Sequence, residues 1–387
     1  MRGNVGVAAV AGLVLLPAAA SGQAAPRSLA DVGGDLVRFE VLEEERVVEV
    51  VVGPVHLAAD MEHLRLPVQM TTFPVDGWLH GFEWVMRDGS GNELPRSLLH
   101  HVNLIDPDNR ELFNPTARRV MAAGNETGAQ RMPRLLGYPI EAGQRLLVSS
   151  MFSNTTGREI EDAYLHVRLF YSEEGDGLIQ PRDVYPFYVD VMGPVGEKDF
   201  PVPPGRTVHY WEGSPAIDGR LLAIGAHLHE YADHIRLEDV TTGRVIWRAE
   251  PERDAAGRVV GVPSSKLFWR LGVKLYKDHV YRAVVEYYNP TDAPAPSRGM
   301  GAIGGIVWAS KDAEWPEFSR SDEVYVADLR NTLEAPFRAA AHEHGHQSSE
   351  ETAPREEAGE HEAGHRDQTH GTAKAGGSRV SVGTRTR

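Results

Sequence analysis

Ala163-Tyr164-Leu165-His166-Val167-Arg168-Leu169-Phe170-Tyr171 places an apolar residue at every odd position and interleaves His166 and Arg168 between them. Successive side chains of an extended chain point to opposite faces, so a period of two buries one face of a strand against a core. The same alternating, β-branched pattern recurs at Val47 to Val55, Arg145 to Phe152, Leu221 to His227, His234 to Asp239, Arg244 to Trp247 and Val280 to Tyr288. Breakers such as Asp88-Gly89-Ser90-Gly91 and Thr242-Gly243 separate the runs, and 39 Gly with 25 Pro suit many turns. Long stretches of helical period are missing. The pattern predicts an all-β protein.

A Pro- and Gly-rich connector, from about Val191 to Gly205, lies near the middle of the chain. It divides the text into 36–192 and 200–332, each the size of one antiparallel, jelly-roll-like β-sandwich, in tandem. After about Asn331 the pattern stops. Residues 339–387 carry almost no large apolar side chains and are expected to be a disordered, His-rich tail. Six of the 17 histidines lie there: His342, His344, His346, His361, His365 and His370. Such a tail can capture metal loosely but presents no fixed geometry.

The other end reads as a secretory signal over 1–24. Arg2 supplies a positive start, Val5 to Leu16 an apolar stretch, and Pro17 precedes small residues with a cut after Ala24 or Ala20. That stretch is too short to span a bilayer, and no later one approaches the roughly 20 apolar residues required. The expectation is an exported protein, periplasmic or extracellular, without a membrane span. Cysteine is absent, so disulfides contribute nothing and metal ligands must come from His, Met, Asp and Glu. A net charge of −15 repels phosphate backbones, which argues against nucleic acid as a partner.

Three scraps of sequence carry candidate chemistry: His100-His101, His227-Leu228-His229, and Met300 in Gly299-Met300-Gly301. Imidazole nitrogens combined with a thioether sulfur suit copper, because sulfur favours Cu(I) while nitrogen holds both oxidation states. The i, i+2 spacing of His227 and His229 points both rings to one face of a strand, a two-nitrogen bite on one ion. Adjacent residues diverge on a regular strand, so His100 and His101 can share an ion only at a bulge or strand end. Taken singly, each scrap also reads as structural: an HxH within a strand, a core Met, a surface doublet. His56, His63, His80, His209, His234 and His279 are scattered and read as hydrogen-bonded structural histidines. Glu126 and Glu230 are candidate acceptors that could fix imidazole tautomers. Asn125-Glu126-Thr127 and Asn154-Thr155-Thr156 match the glycosylation pattern.

In this order and approximate spacing, over most of residues 75–310, the three motifs resemble the copper type II, ascorbate-dependent monooxygenases, the family of peptidylglycine α-hydroxylating and dopamine β-monooxygenases. The resemblance implies two β-sandwich domains, each with one copper facing a solvent cleft. It implies His227, His229 and Met300 as ligands of the oxygen-activating copper, and His100 with His101 as two ligands of the electron-supplying copper. The family's third ligand on that second ion is a His. In Leu146-Leu147-Val148-Ser149-Ser150-Met151-Phe152-Ser153-Asn154 its place is taken by Met151. His166 resembles a His on the following strand of the family, which is not a ligand. Where the peptide-amidating branch carries an Arg two residues before its HxH and a Tyr four after its Met, this chain has Gly225 and Gly304. Peptidylglycine is therefore a poor substrate guess.

The leading expectation is an exported, two-copper monooxygenase that hydroxylates a C–H bond of a small-molecule or peptide-like substrate, using O2 and ascorbate or a similar reductant. A copper carrier without efficient turnover, for which Met151 argues, is the second. A secreted β-sandwich interaction protein with incidental histidines is the third.

Overall fold

The computed structural model describes residues 36–255, 257–296, 298–334 and 382–386. One sheet of the first sandwich runs, edge to edge, through Val37–Leu42, Val47–Leu57, Ile160–Ser172, Gly77–Asp88, Leu136–Ile140 and Arg182–Asp183. The facing sheet runs through Met61–Arg65, Arg145–Asn154, Leu99–Arg110 and Ala117–Gly124, with Gln69–Thr72 also paired to Arg145–Asn154. The period-two stretch behaves as its spacing requires: Ala163, Leu165, Val167, Leu169 and Tyr171 all enter the core between the sheets. They meet Leu146, Val148 and Phe152 from the facing sheet there. Full burial of the Val and Leu side chains among them contributes about 1.5–3 kcal/mol each.

The second sandwich repeats the plan. Tyr185–Asp190, Gly299–Ala309, Gly219–Leu228 and Ser265–Lys266 form one sheet, and Arg244–Ala249, Ala232–Asp239, Tyr281–Asn289 and Gly205–Gly213 form the other. The crossover comes earlier than the connector suggested. Tyr185–Asp190, placed by sequence in the first domain, pairs antiparallel with Gly299–Ala309, from Tyr185 opposite Val307 to Asp190 opposite Ala302. The turn residues that follow belong to a loop of the second sandwich, held by Val191 N–H on the Gly301 carbonyl at 2.9 Å. Gly and Pro mark a change of chain direction, and a loop within a domain needs that as much as a linker does.

Both sandwiches close one strand end with the same device. Asn154 donates to the carbonyls of Leu57, Ala58 and Arg158 while Thr156 Oγ1 donates to Asn154 Oδ1 at 2.7 Å. Asn289 donates to Val202 and Ala293 carbonyls, and Thr291 Oγ1 returns to Asn289 Oδ1 at 2.7 Å. Asn154 is fully buried, so its glycosylation-like pattern is a structural turn and not an acceptor site.

Interlocking contacts join the halves, and the described residues from 36 onward belong to one compact unit. The loop after Leu99–Arg110 carries Leu112 and Phe113 into the second core. The Phe113 ring packs edge-on against Phe187, Trp211 and Tyr281 at 5.5, 6.1 and 6.1 Å. In return a helix over 323–334, which the sequence pattern did not predict, docks on the first sandwich. Tyr325 and Leu329 pack with Ile105, Ala117 and Leu147. Asp328 accepts two hydrogen bonds from the Arg119 guanidinium, at 2.7 and 3.0 Å, and Tyr325 OH donates to the Pro107 carbonyl.

Of the expected disordered tail, 339–381 and 387 lie outside the described residues, as does the expected signal at 1–24. Residues 382–386 depart from the expectation: they form a strand paired antiparallel with Gly205–Gly213, Val382 opposite Trp211 and Thr386 opposite Thr207. The Gly205–Gly213 strand would otherwise end its sheet with open backbone donors and acceptors, which a short β-branched segment can pair. No helix among the described residues is long and apolar enough to cross a membrane.

Candidate metal centre

Gly219–Leu228 is a central strand of its sheet, and its pairing with Gly299–Ala309 sets His227 opposite Ala302 and Leu228 opposite Gly301. Met300 and Ala302 project to the same side of Gly299–Ala309, and Ala302 stands opposite His227, so Met300 shares the face of His227. The tight spacing is possible because glycines flank Met300: a Cβ on Gly301 would lie 2.9 Å from Val285, and one on Gly299 2.3 Å from Phe200. The Tyr287 hydroxyl ties the unit together. It accepts from the backbone N–H of His229 and of Met300, each at 3.0 Å, and donates to the Met300 carbonyl at 2.6 Å.

The two imidazoles of this strand end face each other, Nε2 to Nε2, at 3.1 Å. Each ring is held by its other nitrogen. His229 Nδ1 lies 2.7 Å from the Arg298 carbonyl, which can only accept, so Nδ1 carries the proton. His227 Nδ1 lies 2.6 Å from Glu126 Oε1. Burial alone would raise the Glu126 carboxyl, but the charge and hydrogen bond of His227 outweigh it and hold it below the ordinary value. Glu126 is therefore the acceptor, and both Nε2 lone pairs point at one spot. Two lone pairs 3.1 Å apart repel unless a cation lies between them. Burial pushes His227 down but Glu126 outweighs that and raises it, whereas burial and the His227 charge lower His229. A proton on His227 Nε2 is the minimal such cation. A metal is the other: two nitrogens ~2.0 Å from one ion and ~100° apart lie ~3.1 Å from each other.

His100 and His101 sit where the sequence required a defect. Met151 pairs with His101 and Phe152 with Leu99, so His100 is the extra residue of a β-bulge. The bulge turns both rings to one side, with centroids 5.2 Å apart. Nδ1 of each is buried without a hydrogen-bond partner. An unpaired buried polar atom costs about 1–3 kcal/mol, so these two are an unusual expense unless something binds them. Burial, with the neighbouring imidazoles adding to it, pushes His100 down to about 3 and His101 well below the ordinary value. Neutral rings keep the lone pairs a metal needs.

The resemblance implied two centres facing a cleft. The two histidine groups are in ring contact: His100 lies edge-on to His229 with centroids 5.9 Å apart. Sequence reasoning missed His63, read as a scattered structural residue. Its ring lies 5.0 Å from that of His100, on Met61–Arg65, a strand remote in sequence and without any motif. Met151 faces His101 in register, but its sulfur accepts from Arg65 Nη2 at 3.4 Å. Glu230 makes no such bond to the rings and acts on His227 and His229 only through its charge.

The other histidines lie apart from this cluster. His56 pairs with Glu159, and His279 with Asp239. Asp233, His234 and Glu286 gather their ligand atoms within 4.8 Å of one another. The middle of that group is already filled: Arg236 Nη1 lies 2.7 Å from His234 Nε2 and 2.9 Å from Glu286 Oε1. A guanidinium there repels a metal ion, so the group is a partly buried ion-pair network.

No protein-family model matches the chain, and no curated protein matches it. Among solved structures, PNGF-II is similar at 10% identity and a TM-score of 0.36, over 68% of this chain and 66% of that one. The chain thus spans just under two thirds of the PNGF-II chain. The STIV MCP is similar at 9% identity and a TM-score of 0.32, over 68% of this chain and 99% of that one. Likenesses this distant transfer neither fold detail nor function.

Proposed function

We propose that this chain binds copper between its two sandwiches and acts as an exported copper-dependent monooxygenase of the type it resembles, hydroxylating a C–H bond with O2 and an external reductant. The observation that carries the metal part is the 3.1 Å approach of His227 Nε2 and His229 Nε2 with both Nδ1 atoms engaged. The donor set fits a borderline ion: five imidazoles linked by ring contacts, those of His63, His100, His101, His227 and His229, and a thioether on the His227 face, with no thiolate. Bound copper would supply one-electron redox chemistry and activation of O2. The protein's part is to orient donors and hold protons. Glu126 keeps the proton of His227 on Nδ1, the Arg298 carbonyl does the same for His229, and Tyr287 fixes the backbone from which His229 and Met300 project.

Gly225 and Gly304 pair directly opposite one another, on the face that carries the ligands and next to them. They offer neither guanidinium nor phenol, which supports a substrate not anchored there by a peptide carboxylate. The test is copper content of the full chain together with O2 consumption in the presence of ascorbate, beside His227→Ala. Bound copper with sustained, reductant-dependent O2 uptake, both reduced in the variant, supports the proposal. Bound copper without turnover favours the carrier reading, for which the Arg65 contact on Met151 speaks. A wild-type chain that retains no copper overturns both.

A further inference from the structure

We propose that His63, and not Met151, completes the first-sandwich donor set, so that His63, His100 and His101 are the three ligands there. This rests on the copper reading above and adds to it a residue on a separate strand.

Three observations lead to it. The first removes Met151. In the row across the sheet, Arg65, Met151 and His101 stand opposite one another. The Met151 sulfur is taken by the Arg65 guanidinium at 3.4 Å. The sulfur can reach a metal only by giving up that hydrogen bond, whereas His63 and His101 feel the guanidinium through its charge alone. A thioether is a weak donor and gains little to offset that loss.

The second observation puts His63 in reach. Phe152 pairs with Leu64 and Asn154 with Met61, so Glu62 and His63 together oppose the single residue Ser153. His63 thus lies at a β-bulge on one side of Arg145–Asn154, and His100 lies at a β-bulge on the other side. Bulges bend a strand and re-aim its side chains, and two of them here turn a pair of rings toward each other across the strand between. Ser153 is small enough to let them meet. The rings reach a centroid distance of 5.0 Å with planes at 64°, an edge-on approach.

The third is the demand for a partner. His100 Nδ1 and His101 Nδ1 are buried and unpaired. A third nitrogen donor gives a cuprous or cupric ion three imidazoles, a set suited to both oxidation states. Among the described residues the His/Cys/Asp/Glu group with all its ligand atoms within 4.8 Å of one another is Asp233, His234 and Glu286, so His63, His100 and His101 would have to close up by side-chain rotation to share an ion. His63 is exposed, which leaves room for its ring to turn.

The experiment loads the full chain with copper under reductant and dialyses it against a weak chelator that strips loosely held ions. Copper per chain is then measured for wild type, His63→Ala, Met151→Leu and His227→Ala, and X-ray absorption counts sulfur neighbours of copper in wild type and in His63→Cys. Expected are about two coppers in wild type and in Met151→Leu, about one in His63→Ala, and one additional copper–sulfur neighbour in His63→Cys. Retention of both coppers by His63→Ala, with loss of one in Met151→Leu, overturns the assignment to His63. If His63→Ala does not fold, the His63→Cys spectrum decides, and an unchanged sulfur count overturns the proposal. A failure of the parent reading is separate: wild type would hold no copper, or His227→Ala would hold as much as wild type.

Discussion

Glu126 Oε1 stands 2.6 Å from Nδ1 of His227, so a carboxylate carried by the first sandwich fixes the ring of a metal-ligand candidate in the second. The carboxylate is itself confined. A Cβ on Gly124 would meet Glu126 Oε2 at 2.4 Å, and Thr127 Oγ1 accepts from the Gly124 N–H at 3.0 Å to shape the turn between them. The site is therefore assembled only when the two halves are docked.

Glu126→Gln should weaken copper binding at His227 and His229 by about 10–100-fold, the usual effect of removing a carboxylate that orients a ligating imidazole. Competition with a chelator of known affinity for Cu(I) measures it. An affinity equal to wild type would show that the carboxylate does not orient the metal-binding ring.

Tyr287→Phe removes three hydrogen bonds to the backbone of His229 and Met300 and leaves buried groups unpaired. A loss of about 1–3 kcal/mol in unfolding free energy is expected, along with weaker copper retention. Urea unfolding and copper content, read on the same preparation, check both. Full stability with lost copper would instead place Tyr287 in the site alone.

Phe113→Ala takes a side chain of the first sandwich out of the second core, where it touches Phe187, Trp211 and Tyr281. The expected cost is about 3–5 kcal/mol. Because the loop also joins the halves, thermal unfolding of this variant should split into two transitions where wild type shows one. Calorimetry distinguishes the cases.

Glu111 is buried, accepting from the backbone N–H groups of Arg119 at 2.6 Å and Tyr188 at 3.1 Å. Burial, only partly offset by Arg119, pushes its carboxyl up to about 7 from an ordinary 4.5. The folded state thus holds a proton that the unfolded chain releases. Its contribution is fully present below pH about 4.5 and is lost as pH rises to about 7. Unfolding free energy of wild type should fall across that window relative to Glu111→Gln. Parallel pH dependences for the two would contradict the assignment.

Much of the scaffold is legible in the chain itself. The alternation over 163–171 needs no context to be read as a strand, because the side-chain period of two is set by backbone geometry and the core contacts of Ala163, Leu165 and Val167 follow it. The i, i+2 pair His227 and His229, and the need for a bulge at His100-His101, follow from the same geometry, and the bulge is there. The helix over 323–334 was not legible in this way. Its apolar residues Tyr325 and Leu329 are few, and it gains stability chiefly from docking and from the Arg119–Asp328 pair.

What the sequence determined by itself was local: strand spacing, turn chemistry and the donor types available to a metal. Which donors meet was decided by the tertiary structure alone. His63 and His100 are joined by two bulges on either side of one strand, His100 and His229 by the docking of two sandwiches, and Glu126 and His227 across the same junction. Those contacts link residues far apart in the chain, and no periodicity records them, because the energy that enforces them comes from burying Phe113 and the helix over 323–334 elsewhere in the molecule.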